Sequence, residues 1–335
     1  MKQNEIDNLL KKIKNDYKVF GPVKKNGQSY IERINEPKAV DYSGDIPLDP
    51  WKFLFFPVQE TILDENFKEP KANYPKICAW GMNVLDLKAL GLLDLVFKDD
   101  PYYQKRRQNT LVIGLSVGAP NQENFEDFTI FSLKLEENVL EHIPFDIFLE
   151  KLVDASYMVY SGSQLGQKLL DKCKISDYRN IQFAGLIPEE GPDKRMLDLQ
   201  SKMEKSFGHP VWEELDKICI ACGKCSIVCP TCFCFDITDQ VAGQNKVSRQ
   251  RCWGNCFYPE FTEIAGGFDF TATVKKKIHF WYEHKFLRIP QEYKVPGCVS
   301  CLRCYKVCPV AINIIKVLNN LNRKENEKPL PTTGR

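Results

Sequence analysis

Histidine is scarce in this chain: His142, His209, His279 and His284 are the only four in 335 residues. None has a neighbour at a spacing that makes a nucleophile–base pair, so acid–base catalysis has no candidate constellation. Neither G-x-G-x-x-G nor a P-loop occurs, which argues against the chain itself binding NAD or ATP. Long apolar runs are missing too. The longest, Leu54 to Phe56 and Leu90 to Phe97, are far too short to span a bilayer. The opening stretch MKQNEIDNLLKKIKNDYKVF holds no apolar segment of the secretory-leader kind. Net charge is low at +2, which gives no signal for nucleic acid or an anionic membrane. These absences lead to the expectation of a soluble, cytoplasmic protein. A hydrophobic fraction of 43% and a charged fraction of 27% suit globular packing, and the length allows about two domains.

Cysteine is what the chain has in excess, with fourteen. In a small secreted chain they would read as a disulfide framework; in a chain this long they read as free thiolates in a reduced compartment. Eight fall into two copies of one pattern. Cys219, Cys222, Cys225 and Cys229, followed by Pro230, are spaced C-x2-C-x2-C-x3-C-P, and Cys298, Cys301, Cys304 and Cys308, followed by Pro309, repeat it. Two such runs are the ligand pattern of a two-cluster ferredoxin, in which the fourth cysteine of each run serves the other run's cluster. Cys219, Cys222, Cys225 and Cys308 are therefore assigned to a first [4Fe–4S] cluster, and Cys298, Cys301, Cys304 and Cys229 to a second. The swap requires the two runs to pack together, and each fourth cysteine is expected to open a helix leading out of its loop. Zinc is the alternative, but zinc sites pair two dyads, or a dyad with histidines, round one ion.

Lys224 and Arg303 hold equivalent places in the two runs. They read either as charges that raise a cluster's potential or as exposed surface charges. Backbone N–H groups of Ile220-Ala221 and Val299-Ser300 are expected to donate to sulfur. Four further thiols, Cys232, Cys234, Cys252 and Cys256, lie near the first run. They are candidates for a third centre, or soft side chains lining the first cluster. Cys173 has no motif partner and reads as a structural thiol.

Residues 5–19 carry Ile6, Leu9, Leu10, Ile13 and Tyr17 at helical spacing and predict an amphipathic helix. Residues 19–23 turn into a strand, and 43–50 have loop chemistry. Trp51 to Pro57 is dense in aromatics, either a packing plug or a docking surface. Residues 77–84 and 110–115 read as buried strands, with a helix opening at Leu85 between them. Residues 127–160 add Phe128 to Leu133 and Pro144 to Tyr160 as further strand and helix. Lys105-Arg106-Arg107 reads as a solvated helix face. This alternation argues α/β packing. From residue 191 the chain becomes helical, with Pro210 at a helix start where its missing N–H costs nothing. A turn is expected over 242–245 and a helix from Thr271 to His284. The fold class is therefore α+β: an α/β scaffold and docking domain over 1–200, a mainly helical two-cluster ferredoxin-like domain over 201–321, and a loose tail over 322–335.

His209-Pro210-x-Trp212, CIACGKCSIVCPTCFCFD, RCWGNC, AGGFDF and CVSCLRCYKVCP, in this order, resemble the iron–sulfur beta subunits of cytosolic sulfhydrogenase-type [NiFe] hydrogenases, and similarly their iron–sulfur counterpart in anaerobic sulfite reductase. FFPVQETIL, LDLKALGLLD and DDPYYQKRR extend the resemblance through the N-terminal half. It implies an anaerobic electron-relay subunit beside a flavin subunit that oxidises NAD(P)H or a ferredoxin-like donor, passing electrons toward a catalytic hydrogenase, sulfite reductase or heterodisulfide-reductase-like subunit. The family carries a further cluster in the N-terminal domain. Its cysteines fall where this chain has Leu85-Asp86, the end of Gly114-Leu115-Ser116, and Glu123 to Asp127, so that cluster is expected to be lost and its scaffold kept; Cys78 alone cannot hold one. Two functional readings stand: a non-catalytic electron-transfer subunit with two [4Fe–4S] clusters, or an oxidoreductase with its own thiol or metal centre at Cys232, Cys234, Cys252 and Cys256.

Overall fold

The computed structural model describes residues 1–70, 74–117, 139–189, 191–241, 246–321 and 332–333. The expected strand at Phe128 to Leu133, the lost-cluster positions Glu123 to Asp127, the 242–245 turn and most of the tail lie outside the described residues. The chain is α+β and divides into two compact units. The first comprises Met1–Phe56, Asn73–Gly191 and the short run Val299–Cys301. The second comprises Pro57–Ala72, Pro192–Cys298 and Leu302–Arg335.

The first unit is a seven-stranded mixed sheet flanked by helices. Helix α1 (Gln3–Ile13) precedes β1 (Lys18–Lys25) and β2 (Gln28–Arg33), a hairpin closed by Asn26-Gly27, both at positive φ. β3 (Gln59–Leu63) leaves for the second unit. β4 (Ile77–Met82), α2 (Val84–Val96), α3 (Pro101–Gln108), β5 (Thr110–Ser116), β6 (Ile147–Lys151), β7 (Tyr157–Ser161), α4 (Gln164–Lys172) and β8 (Arg179–Asn180) follow. The sheet order is β2-β1-β4-β5-β6-β7-β8, parallel from β1 through β6 and between β7 and β8. β7 returns antiparallel to β6. Alternate residues of the central strands, Cys78 and Trp80, Leu111 and Ile113, Ile147 and Leu149, share one core with Ile6, Leu9, Leu10 and Ile13 of α1 and Leu170 of α4. A period of two places them on one sheet face.

Local departures from the sequence reading have local causes. The first helix ends at Ile13 rather than running to residue 19, because Lys18 onward pairs with β4. The aromatic run is a packing plug: Trp51, Phe55 and Phe56 are buried. The basic trio is only partly solvated. Arg107 binds Asp94 at 3.0 Å and lies over the Phe55 ring. Helix α2 is apolar nearly all round, as befits a buried helix. Asn83 caps it, accepting from Asp86 N and donating to the Asp86 carboxylate. At its first turn Leu85 is fully buried in an apolar cluster with Ile46, Ala89, Val299 and Cys301.

The second unit is built from α5 (Lys194–Glu204), α6 (Val211–Ile218), α7 (Lys224–Ile227), β9 (Phe235–Val241), β10 (Val247–Trp253), α8 (Pro259–Thr262), α9 (Val274–Glu283), a π-turn at His284–Arg288, α10 (Ile289–Tyr293), α11 (Arg303–Val307) and α12 (Ile314–Leu321). Beyond the expected helices it holds a three-stranded antiparallel sheet in the order β3-β10-β9. Strand β3, far away in sequence, is fastened to β10 by a buried ion pair. Arg251 Nε donates to Glu60 Oε1 at 2.8 Å, and its guanidinium lies 5.3 Å from the Phe235 ring centre. The tail is tied at its described end, where Asn313 N donates to the Thr332 carbonyl at 2.9 Å.

Breaking a buried pair strands one charge without its partner. Arg251→Met or Glu60→Gln alone is expected to cost about 3–5 kcal/mol in anaerobic denaturant unfolding. The Arg251→Met/Glu60→Gln double variant should cost clearly less than the two single changes added together. Additive losses would mean that the two side chains are not coupled.

Candidate metal centre

Helix α6 delivers the chain to the first cysteine run, and Cys219 is its C-cap, donating its N–H to the Leu215 carbonyl at 2.8 Å. Trp212 anchors this helix, with its indole N–H on the Ser206 carbonyl at 2.6 Å. From Cys219 the backbone twists left-handed at Ala221 (φ 51°) and Gly223 (φ 70°). The second run repeats the twist at the equivalent places, Ser300 (φ 55°) and Leu302 (φ 56°). For an alanine, a serine and above all a leucine this region is costly, and such strain gathers at ligand clamps. Alternating right- and left-handed residues turn successive N–H groups inward to form a concave nest of the kind found round iron–sulfur sites. Each run then enters a one-turn helix, α7 or α11, that carries its third cysteine.

The fourth cysteines do not open a helix as the sequence reading had it. Cys229 follows the end of α7, and Cys308 is the C-cap of α11 in extended conformation (φ −69°, ψ 117°). The following proline disfavours helical geometry at the residue before it. Helices α7 and α11 pack against each other, so the two runs meet.

One pocket in the second unit is lined by Cys219, Cys222, Cys225 and Cys308, with Cys304, Trp281 and Tyr282 also in its wall. Ala221 N donates to Cys219 Sγ at 3.4 Å, and Ile312 N to Cys308 Sγ at 3.3 Å. The indole Nε1 of Trp281 is buried and has no hydrogen-bond partner among the described residues. Burial, followed by the neighbouring thiols, pushes Cys225 well above its ordinary range and raises Cys219 as well. Four soft sulfur donors, amides already pointed at sulfur and a spare buried donor fit a [4Fe–4S] cluster, whose iron supplies the charge that ionises the thiols. Among the described residues no three His, Cys, Asp or Glu side chains converge on a point that could hold a single metal ion. Thiols at the corners of a cube stand farther apart than thiols round one ion.

Three of the other motif cysteines are more deeply set than Cys304. Cys229 and Cys298 are buried in the second unit, and Cys301 is buried against the Leu85 cluster of the first. Between the runs rises α9. Its Tyr282 is fully buried, pushed well above its ordinary range by burial and then by Cys304, Cys225, Cys298 and Cys219 from both runs. One turn on, within the π-turn, is Lys285. It is 2% exposed, and its ammonium donates to Cys229 Sγ at 3.0 Å, Thr231 Oγ1 at 3.0 Å and the Gly297 carbonyl at 3.3 Å. Arg303 is fully buried and Lys224 is exposed, so the surface-charge reading of this pair fails for Arg303.

The RCWGNC stretch braces the first loop. Asn255 is buried, donates from Nδ2 to the Gly223 carbonyl at 3.0 Å, and accepts from Phe257 N at 3.1 Å. The Tyr258 hydroxyl reaches the Cys222 carbonyl at 3.4 Å. Gly223 admits no side chain, since a Cβ there would stand 2.3 Å from Asn255 Nδ2. Of the extra thiols, Cys256 is pushed up to about 12 by burial and then by Cys234. Cys232 N donates to the Cys229 carbonyl at 3.3 Å, and Cys252 lies in β10 opposite Asp236. Lys285, Trp281 and Asn255 were missed in the sequence because they belong to no cysteine run; their only sequence signal was a Trp and a Lys one helical turn apart.

Residues 218–312 match the 4Fe-4S dicluster domain family, so this part of the chain is similar to iron–sulfur, electron-transfer domains. Over 349 aligned positions the chain is 29% identical to sulfhydrogenase 2 subunit beta of Pyrococcus furiosus, with 95% of each chain covered. The likeness to iron–sulfur beta subunits of the sulfhydrogenase type thus runs through both units. No solved structure matches the chain. No described helix is long and apolar enough to cross a membrane.

Asn255→Ala leaves the buried Phe257 N–H without its acceptor and the Gly223 loop without its brace. The expected cost is about 1–3 kcal/mol in anaerobic unfolding, with faster loss of iron from the first loop under a chelator. Unchanged stability and iron retention would refute the bracing role.

Proposed function

We propose that the chain is a relay for single electrons, holding one [4Fe–4S] cluster on Cys219, Cys222, Cys225 and Cys308 and a second on Cys298, Cys301, Cys304 and Cys229. The observation that supports this most is the pair of left-handed residues at the same two places in both cysteine runs. Nothing in the packing of a simple loop calls for Ser300 and Leu302 to take that conformation. When bound, such a cluster takes up and gives back one electron at a time with little structural change.

The protein's own part is to bind, shield and bias. The runs supply thiolates; Ala221 and Ile312 amides support two of the sulfurs; Trp281, Tyr282 and Phe257 keep water from the first site. The ligands of the first site are only half-buried, and Ile220 in its loop is 62% exposed. The first site is therefore the one through which a docked protein exchanges electrons. The relative's name, a beta subunit, supports an assembly with a catalytic subunit. In this reading a flavin-containing, NAD(P)H- or ferredoxin-linked subunit stands on one side, and a hydrogenase, sulfite reductase or heterodisulfide-reductase-like subunit on the other. The N-terminal unit keeps the family scaffold with Leu85 packed in carbon where the family has a cluster cysteine.

Anaerobic iron and acid-labile sulfide analysis of the full chain, with EPR of the dithionite-reduced protein, tests the assignment. About eight irons per chain and two interacting S = 1/2 signals are expected. Cys219→Ser and Cys298→Ser should each disturb a different signal. About ten to twelve irons would place a third centre on Cys232, Cys234, Cys252 and Cys256 and favour an oxidoreductase with its own reactive site. Four irons or fewer would refute the two-cluster reading.

A further inference from the structure

We propose that Lys285 is a positioning residue that raises the reduction potential of the cluster bound through Cys229, and so makes that cluster the preferred resting place of the electron. The proposal rests on the reading of Cys229 as a cluster ligand.

A buried lysine is rare because desolvating an ammonium is expensive unless it is paired and fully hydrogen-bonded. Here all three N–H donors have acceptors: Cys229 Sγ, Thr231 Oγ1 and the Gly297 carbonyl. Thr231 ties the set together, with its hydroxyl 2.8 Å from the Gly297 carbonyl and 3.1 Å from Cys229 Sγ. The Trp281 ring centre lies 5.2 Å from the ammonium, closing the remaining side with an aromatic face. The backbone is shaped to this contact. Lys285 sits in the π-turn between α9 and α10, and such one-turn widenings recur at functional sites. Gly297, immediately before Cys298, lets the second run come up against that turn, since a Cβ there would stand 2.4 Å from the Lys285 carbonyl.

A fixed positive charge on a ligand sulfur favours the redox state with one more negative charge. In a low-dielectric interior its influence is little screened. The step is a plain electron uptake: one electron arrives from an external one-electron donor, reduced flavin in an assembly or dithionite in a titration. No bond breaks, and the ammonium keeps its proton. Lys224, at the first run, is exposed to water, which screens it. The two clusters are thereby made unequal by a residue that lies outside both cysteine runs.

EPR-monitored redox titration of the full chain tests this with Lys285→Gln, Lys285→Met and Lys285→Arg. The neutral variants are expected to lower the reduction equilibrium constant of one cluster at least tenfold, about 59 mV for one electron, and to leave the other unchanged. Lys285→Arg, which keeps the charge, should stay near the wild-type value, a rescue that a purely space-filling role would not give. Unchanged midpoints in Lys285→Gln with iron content retained would overturn the proposal. If the neutral variants fail to retain iron, Lys285→Arg decides: a tenfold fall there overturns it, and a wild-type midpoint supports it. Wild-type protein lacking a second cluster would instead refute the ligand assignment beneath it, a result read from iron content alone.

Discussion

A loop that presents several thiolates to one polynuclear centre must fold its backbone back on itself, and L-residues resist the left-handed turns this needs. Both cysteine runs accept that cost at the same two places, Ala221 and Gly223 in one and Ser300 and Leu302 in the other. Much of the second unit can be understood as holding these loops in that state. Helix α6 brings Cys219 in at a fixed angle, Asn255 and Tyr258 hold the first loop by its carbonyls, and the prolines after Cys229 and Cys308 stop the one-turn helices where the fourth thiols are needed.

The α9 helix and its π-turn form the spine between the two runs. Tyr282, Trp281 and Lys285 all project from this spine. Tyr282 stands among thiols of both runs, Trp281 lines the pocket of Cys219, Cys222, Cys225 and Cys308, and Lys285 donates to Cys229 Sγ. An apolar spine would have shielded both sites equally. In the two-cluster reading proposed above, a lysine in the π-turn gives the two sites different electrostatic surroundings.

The first unit packs apolar carbon at the point where the resemblance leads one to expect a lost cluster site. At the first turn of α2, Leu85 is fully buried among Ile46, Ala89, Val299 and Cys301. Burial of that leucine contributes on the order of 1.5–3 kcal/mol. Asn83 caps the helix, and its body is buried and apolar.

Much was legible in the sequence because the relevant patterns are local. The x2-x2-x3 spacing of the cysteines, the apolar runs of the buried strands around Trp80 and Ile113, and the apolar face of α1 depend on residues a few positions apart, where backbone geometry sets the outcome. Three features were not legible. The β3 strand crosses to pair with β10 through Glu60 and Arg251, whose partnership spans most of the chain. The buried ammonium of Lys285 looks in sequence like any surface lysine after an aromatic helix. The end of the first helix at Ile13 depends on β1 finding β4. The sequence by itself determined which atoms can bind iron, since thiolate spacing is a property of the local chain. Only the tertiary structure decided which charges stand beside those sulfurs and how dry they are, because burial and electrostatic neighbourhood come from segments that meet only when the chain is folded.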